Sequence, residues 1–285
     1  MKKQQWFVAG TGIVLVAILF FFGKTVPPKK QQGLEAASAS TNHTAAYDIK
    51  ASLSAAKANL SPARQGYINS LESAVVRGDV KNQQVHIYHQ LANFWKDSVR
   101  LFEPYAFFTA EASKLENSEK SLTFAAQLFL DNLRAVNEEP QKLWMAQQAR
   151  ELFERALKLN PANDSAKIGL GSTYIFGSAP EDPGQVMQGI QHILEVARRD
   201  STNMYAQLML GIGGLVSGQY DRAIERLNKV VAAQPSNVEA ILTLAEAYER
   251  HGDPKNAARW YQESKKHIAN QDILTEIDSR IRSLK

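Results

Sequence analysis

Few side chains in this 285-residue chain have the types and spacing that catalysis or metal binding requires. His86 and His89 are the only two of its six histidines at a helical ligand spacing, and no third ligand follows nearby in the sequence. Such a pair more often lies on a solvated or partly packed helix face. The chain contains no cysteine, which excludes disulfides, thiolate metal sites and a cysteine nucleophile. We therefore predict no metal site.

The glycine-rich stretch at 211–214 is a weak candidate for a phosphate-binding loop. Its glycines, Gly211, Gly213 and Gly214, fall inside an expected helix, whereas phosphate loops connect a strand to a helix. The sequence also lacks a nucleophile elbow. Close packing between helices explains these glycines better. We predict that the protein is not an enzyme and has no cofactor.

The net charge of +4 originates at the N-terminal end of the chain. Five of the 33 basic residues are lysines that precede the first acid, Glu35. The remainder of the chain therefore contains 28 basic and 29 acidic residues. The body thus has a net charge of −1 and no basic stripe that could neutralise phosphates. Nucleic-acid binding is therefore not expected.

Residues 6–22 form a run of 17 residues without a charged or strongly polar side chain. A helix of this length spans roughly 25 Å, which is short but sufficient to cross a bilayer. The alternative is a cleaved signal peptide, but the residues after Phe22 form a poor cleavage site, and Ala37-Ser38-Ala39 lies too far downstream. We predict an N-terminal tail and transmembrane anchor over residues 1–23.

The orientation of this single-pass anchor is less constrained, because lysines flank both of its ends. A short N-terminal tail usually stays in the cytoplasm, which places the body outside it, in the periplasm if the organism is bacterial. A body facing the cytosol is the alternative. Residues 24–60 contain few large apolar side chains before Tyr47 and are predicted to be a flexible spacer, with a helix after Tyr47 as an alternative.

The rest of the sequence predicts paired helices. Ser61-Pro62 is typical of a helix start, with serine as N-cap and proline at the first helical position. Breaks at Gly78-Asp79 and Glu103-Pro104 separate a helix over about 80–99 from one over about 104–115, and a further helix is expected over 119–136. Residues 61–118 are predicted as a degenerate region of helix pairs.

Three later segments repeat one pattern: ALKLNPAN at 156–163, VARRDSTN at 196–203 and VVAAQPSN at 230–237. The second and third asparagines are 34 residues apart, and paired helices with this period are typical of the tetratricopeptide repeat. Around these segments the chain resembles that family. The residues that match its pattern are Leu170, Gly171, Tyr174, Gly189, Ile193, Leu210, Gly211, Ala223, Leu227, Pro235, Ile241, Leu244, Ala245, Tyr248, Ala257 and Tyr261.

The match has departures. In the repeat starting at Met204, Gln207 and Gly214 stand where the family has bulky side chains, and the repeat starting at Asp164 has six extra residues within 178–184. The resemblance implies an all-α fold: a right-handed α-solenoid of antiparallel helix pairs, with repeats over 119–269. An amphipathic segment over 270–285 is predicted to be a capping helix, with a partner-binding or dimerisation helix as the alternative.

The resemblance also implies a binding surface, because first-helix positions 2, 5, 9, 12 and 13 of this family face a concave groove. The partner-binding residues it designates here are Ile168, Ser172, Ile175, Phe176, Tyr205, Leu208, Ile212, Leu215, Glu239, Leu242, Glu246 and Glu249. Such a groove runs from an apolar floor to an acidic rim and suits an amphipathic helix or apolar peptide. The alternative is that the apolar members pack internally. The lysines and asparagines that clamp chaperone tails in this family are absent.

The predicted function is therefore a membrane-tethered scaffold that binds a partner protein or peptide and aids envelope complex assembly. Two alternatives stay open: a receptor that faces the cytosol, and a structural scaffold that self-associates into a homo-oligomer.

Overall fold

The computed structural model describes residues 46–77, 80–177 and 183–284, which all belong to the compact unit Thr44–Lys285. The predicted anchor and most of the predicted spacer lie outside the described residues. Among the residues described, no helix is both long and apolar enough to cross a membrane.

The described residues form α-helices and no strand. In chain order the helices are α1 (Ile49–Ala58), α2 (Pro62–Arg77), α3 (Lys81–Asn93), α4 (Phe102–Glu116), α5 (Glu119–Leu133), α6 (Glu139–Leu159), α7 (Asp164–Gly177), α8 (Pro183–Arg199), α9 (Met204–Val216), α10 (Tyr220–Ala233), α11 (Val238–His251), α12 (Pro254–Ser264) and α13 (Gln271–Ser283). The all-α prediction is confirmed for this part of the chain.

The three asparagines that end the repeated segments each begin a helix. The side-chain Oδ1 of Asn163 accepts a hydrogen bond from the backbone N–H of Ala166 at 2.8 Å. Asn203 and Asn237 accept the equivalent bond three residues on, each at 3.0 Å. An N-cap of this kind satisfies an N–H group that the helix leaves unpaired. The sequence repeat therefore marks the starts of α7, α9 and α11.

Each of these helices packs on the helix that follows it, and small residues bring the pairs close together. A Cβ atom on Gly171 would lie 2.5 Å from the carbonyl oxygen of Gly189, and one on Gly189 would lie 2.4 Å from that of Gly171. The backbones of α7 and α8 are therefore in direct contact, which a larger residue at either position would prevent. Most of the insertion predicted within 178–184 lies outside the described residues.

The buried side chains form a series of clusters along the chain. Residues of α2 to α4 form the first, around Trp95. The second extends from α4 to α7 and the third from α7 to α11. In the fourth, Ile277 of α13 packs with Ala257 and Tyr261 of α12. The helix α13 thus packs on the last helix pair.

The N-terminal part differs from the sequence prediction in detail. The helix expected over about 80–99 ends as α-helix at Asn93 and continues as π-helical turns over Phe94–Val99. These turns end at Arg100, whose φ of 62° reverses the chain before α4. The wider turns place Trp95 in the core, where it is 1% exposed. Within the predicted spacer, α1 forms after Tyr47, whose ring lies 5.0 Å from that of Trp144.

Candidate functional site: the inner groove

The twelve residues designated from the repeat pattern divide into two groups. Six are buried, between 0% and 7% exposed, and belong to the interior of α7 and α9: Ile168, Ser172, Ile175, Leu208, Ile212 and Leu215. The alternative of internal packing describes these six better than partner binding does. Their apolar members are part of the core cluster that joins α7 to α11, and a partner could not reach most of them without unfolding it.

The other six are accessible, and they lie at the C-terminal end of α7, the start of α9 and the inner side of α11. Tyr205 is 42% exposed, and partly exposed side chains make up the remainder: Phe176, Glu239, Leu242, Glu246 and Glu249. The surface on which Phe176, Tyr205 and α11 meet is here called the inner groove.

Arg134, which follows α5, connects the two ends of the inner groove. Its guanidinium forms an ion pair with the carboxylate of Glu239, 105 residues away in sequence, and lies 4.9 Å from the ring centre of Phe176. Both members of the ion pair are about half exposed. The contact joins the repeat that begins with α5 to the repeat that begins with α11. Nothing in the sequence pattern indicated Arg134.

Helix α5 contributes a polar edge to the inner groove. Gln127 donates a hydrogen bond to Asp131 at 2.6 Å and also contacts the hydroxyl of Tyr205. Partial burial raises the pKa of Tyr205, with the charges of Asp131 and Glu239 adding to the effect, so its phenol stays neutral and able to donate. Gln127 and Asp131 occupy positions 9 and 13 of their repeat. The family positions, applied from Glu119 onward, would have found them.

A cleft of about 610 Å³ opens between α11 and α13 at the C-terminal end of the inner groove. Its lining combines apolar and charged side chains: Arg134, Val238, Glu239, Leu242, Thr243, Glu246, Tyr261, Ile273, Glu276, Ile277 and Arg280. Ile273 of α13 is 43% exposed there. A capping helix was predicted over 270–285, with a partner-binding or dimerisation helix as the alternative, and the contribution of Ile273 to a cleft with α11 was not predicted.

The predicted acidic rim is largely neutralised by neighbouring arginines. Glu239 pairs with Arg134, and Glu246 pairs with Arg250 at 2.7 Å. Glu249 accepts hydrogen bonds from the Arg280 guanidinium and the Tyr261 hydroxyl, each at 2.9 Å. Burial and this bond to a carboxylate raise the pKa of Tyr261 well above its ordinary value.

Glu276, an exposed residue of α13, also lines the cleft. Its carboxylate takes part in none of the ion pairs of the described residues. The charge that the cleft offers to a partner therefore belongs to Glu276. The other groove acids are engaged within the chain.

The histidine pair singled out from the sequence is divided between two neighbours. His89 contacts Glu116 at 2.6 Å, whereas His86 contacts Gln90 at 3.2 Å. Among the described residues no three potential ligands converge in a way that could hold a metal ion.

Comparison with known proteins identifies the repeat. Residues 208–272 match the family model of the tetratricopeptide repeat. A stretch of 175 residues, 61% of this chain, is 27% identical to the BBSome complex member BBS4 of Bos taurus, of whose length it spans 28%.

Two solved structures share the fold. A tetratricopeptide repeat protein from Parabacteroides merdae has a TM-score of 0.55 at 15% identity, over 75% of this chain and 77% of that one. A thermophilic protein of the same repeat type from Thermus thermophilus has a TM-score of 0.53 at 17% identity, over 71% and 100% of the two chains.

Proposed function

We propose that this chain, a tetratricopeptide repeat protein, is a membrane-tethered interaction scaffold whose inner groove binds an amphipathic segment of a partner protein. The observation that carries the proposal is the cleft of about 610 Å³ between α11 and α13, where apolar side chains are accessible beside the unpaired Glu276. Concave surfaces of this size, lined by apolar groups and few polar ones, are typical binding sites.

The chemistry of the cleft indicates what the partner segment carries. Leu242 and Ile273 offer apolar contacts, and Glu276 offers a carboxylate that a lysine or arginine can reach. Farther along the inner groove, Phe176 and Tyr205 are aromatic side chains of the kind that dominate binding energies. A helix with an apolar face and a basic residue at one end therefore matches the groove.

A binding experiment with designed peptides tests the groove. The probe is a fluorescein-labelled amphipathic helical peptide with lysine at one end, compared with a peptide in which glutamate replaces that lysine. We expect the full chain to bind the basic peptide more tightly, and Ile273→Lys to weaken its affinity at least about tenfold. The matched control is Leu143→Lys, since Leu143 is 41% exposed on α6, outside the groove. Equal binding by both variants would contradict the proposal.

The tether rests on the apolar run at residues 6–22, and we place the body outside the cytoplasm because short N-terminal tails usually stay inside. Protease treatment of cells tests this placement. If the protease digests the body once the outer membrane alone is permeabilised, the body lies outside the cytoplasm. If digestion begins only after the inner membrane is breached, the body faces the cytosol, as in the receptor alternative. The likeness to a member of a multi-protein complex favours a role in complex assembly.

A further inference from the structure

A second cavity lies outside the inner groove, between α8, α9 and α10, with a volume of about 330 Å³. Its floor contains the apolar side chains of Ile190, Leu194 and Leu210. Two of its three helices, α8 and α10, are second helices of their repeats, whereas α5, α7, α9 and α11, which bear the groove residues, are first helices. The cavity is therefore separate from the groove.

Three arginines line this cavity, and no acidic residue does. Arg222 donates a hydrogen bond to Gln219 at 2.7 Å, and Arg226 donates one to Gln207 at 2.8 Å. Arg198 and Arg222 are exposed. None of the three forms an ion pair within the described residues, although Glu195 and Glu225 lie near enough to Arg198 and Arg226 to feel their charges. No carboxylate lines the cavity itself, where the three guanidinium groups border an apolar floor.

A buried amide fixes one of these arginines. Gln207 is 1% exposed, and its side-chain N–H donates to the backbone oxygen of Ser201 at 3.0 Å while its side-chain oxygen accepts from Arg226. The family pattern has a large apolar residue at this position. A buried polar side chain stabilises the fold less than an apolar one does unless its hydrogen bonds are satisfied. Here its bond holds the Arg226 guanidinium at the cavity.

The other departure from the family pattern lies at the same cavity. Gly214 lines it at the position where the pattern has tyrosine, and a Cβ atom there would lie 3.2 Å from that of Ala223. In the next repeat the equivalent residue, Tyr248, packs against the core. The helices α9 and α10 are therefore close together at this position, where their repeat contributes no side chain to the cavity. Both departures lie at one place, since Gly214 lines the cavity and Gln207 orients the charge of Arg226 there.

The geometry points to a second binding site in this cavity, for an acidic segment of a partner protein in which carboxylates flank an apolar side chain. Arginine binds carboxylates through paired N–H donors in a fixed fork, and the floor between the three arginines takes the apolar side chain. The carboxylates of such a segment complement the three arginines, because no acidic residue lines the cavity.

Three labelled peptides test the site in the full chain: one with Glu-Leu-Glu at its centre, one with Gln-Leu-Gln and one with Glu-Ser-Glu. We expect the first to bind most tightly by fluorescence polarisation, because it alone carries both features. Arg222→Glu is expected to weaken its affinity at least about tenfold, since a charge-assisted bond is replaced by repulsion. The matched control, Lys255→Glu, makes the same charge change on exposed α12 surface and should leave the affinity unchanged.

Gln207→Leu separates a binding role from a structural one. It restores the family's apolar residue, so the variant should be at least as stable as the parent chain, while peptide affinity falls because Arg226 loses its orienting bond. Ile273→Lys in the inner groove should leave the affinity for the acidic peptide unchanged. The proposal for this cavity and the proposal for the inner groove can therefore be contradicted separately. The proposal is overturned if the three peptides bind equally, if Arg222→Glu binds as the parent does, or if only inorganic phosphate or phosphatidylglycerol vesicles bind.

Discussion

The two repeats α9–α10 and α11–α12 have the same helical register but present different surfaces. Ten of the thirteen residues of α9 are buried, on every side of the helix, compared with six of the fourteen in α11. Helix α9 lies between neighbours on both sides and contains three glycines that let them approach closely. Helix α11 has one crowded side and opens onto the cleft beneath α13. Repeat position therefore predicts which way a side chain points, but the neighbouring helices decide whether it is accessible.

The largest expected change in stability comes from a charge at position 5 of the repeat α9–α10, compared with the same change in the repeat α11–α12. Leu208 is 5% exposed, so Leu208→Glu should lower the free energy of unfolding by about 4 kcal/mol or more. The equivalent Leu242 is partly exposed in the cleft, and Leu242→Glu should cost about 1 kcal/mol. Urea denaturation followed by circular dichroism measures both. Similar costs would mean that the two helices are equally buried in solution.

A glycine substitution should show that packing outweighs helix propensity in α9. A Cβ atom on Gly211 would lie 2.6 Å from Cγ of Leu227, which is fully buried and cannot retreat. Gly211→Ala should therefore destabilise the protein by about 1–2 kcal/mol. A Cβ atom on Gly66, an exposed residue of α2, would meet no atom within 4 Å, so Gly66→Ala should stabilise the protein by about 0.5–1 kcal/mol. A shift of the thermal midpoint in the same direction for both variants would contradict this account.

The helix caps are what the two repeats share, and their loss should cost the same. Asn203→Ala and Asn237→Ala each remove a 3.0 Å bond to the backbone, with an expected cost of about 1 kcal/mol. Asn→Asp at either position keeps the acceptor and should cost much less. Calorimetry of the four variants provides the measurement. Unequal alanine costs would show that the two helix starts differ in more than their surroundings.

The smallest expected effect concerns the ion pair between Arg134 and Glu239. A double-mutant cycle with Arg134→Ala and Glu239→Ala should give a coupling energy below about 1 kcal/mol, because both side chains are about half exposed and water screens their charges. The coupling should shrink further in high salt. A coupling unaffected by salt would indicate that the pair is more buried than the structure shows.

The sequence predicted the helix pairs and the starts of the repeats well, because asparagine caps and small residues at fixed spacing act locally. It predicted the inner groove less well. Six designated positions are buried, since the repeat pattern does not state how closely the next helix approaches. Arg134 and Ile273 were missed because they join the groove through contacts between elements distant in sequence. Gln207 and Gly214 were recognised as departures, but only the structure places both at one cavity.

The contact between Arg134 and Glu239 has a consequence for motion. In a linear array each repeat contacts only its neighbours, so thermal bending accumulates along the array and its two ends fluctuate independently. The ion pair connects the first of the four repeats between α5 and α12 to the fourth and therefore opposes their independent movement. Because the bond is electrostatic and exposed, dissolved ions regulate its strength. We therefore expect high ionic strength to loosen the connection between these two repeats, by the small amount that an exposed ion pair can contribute.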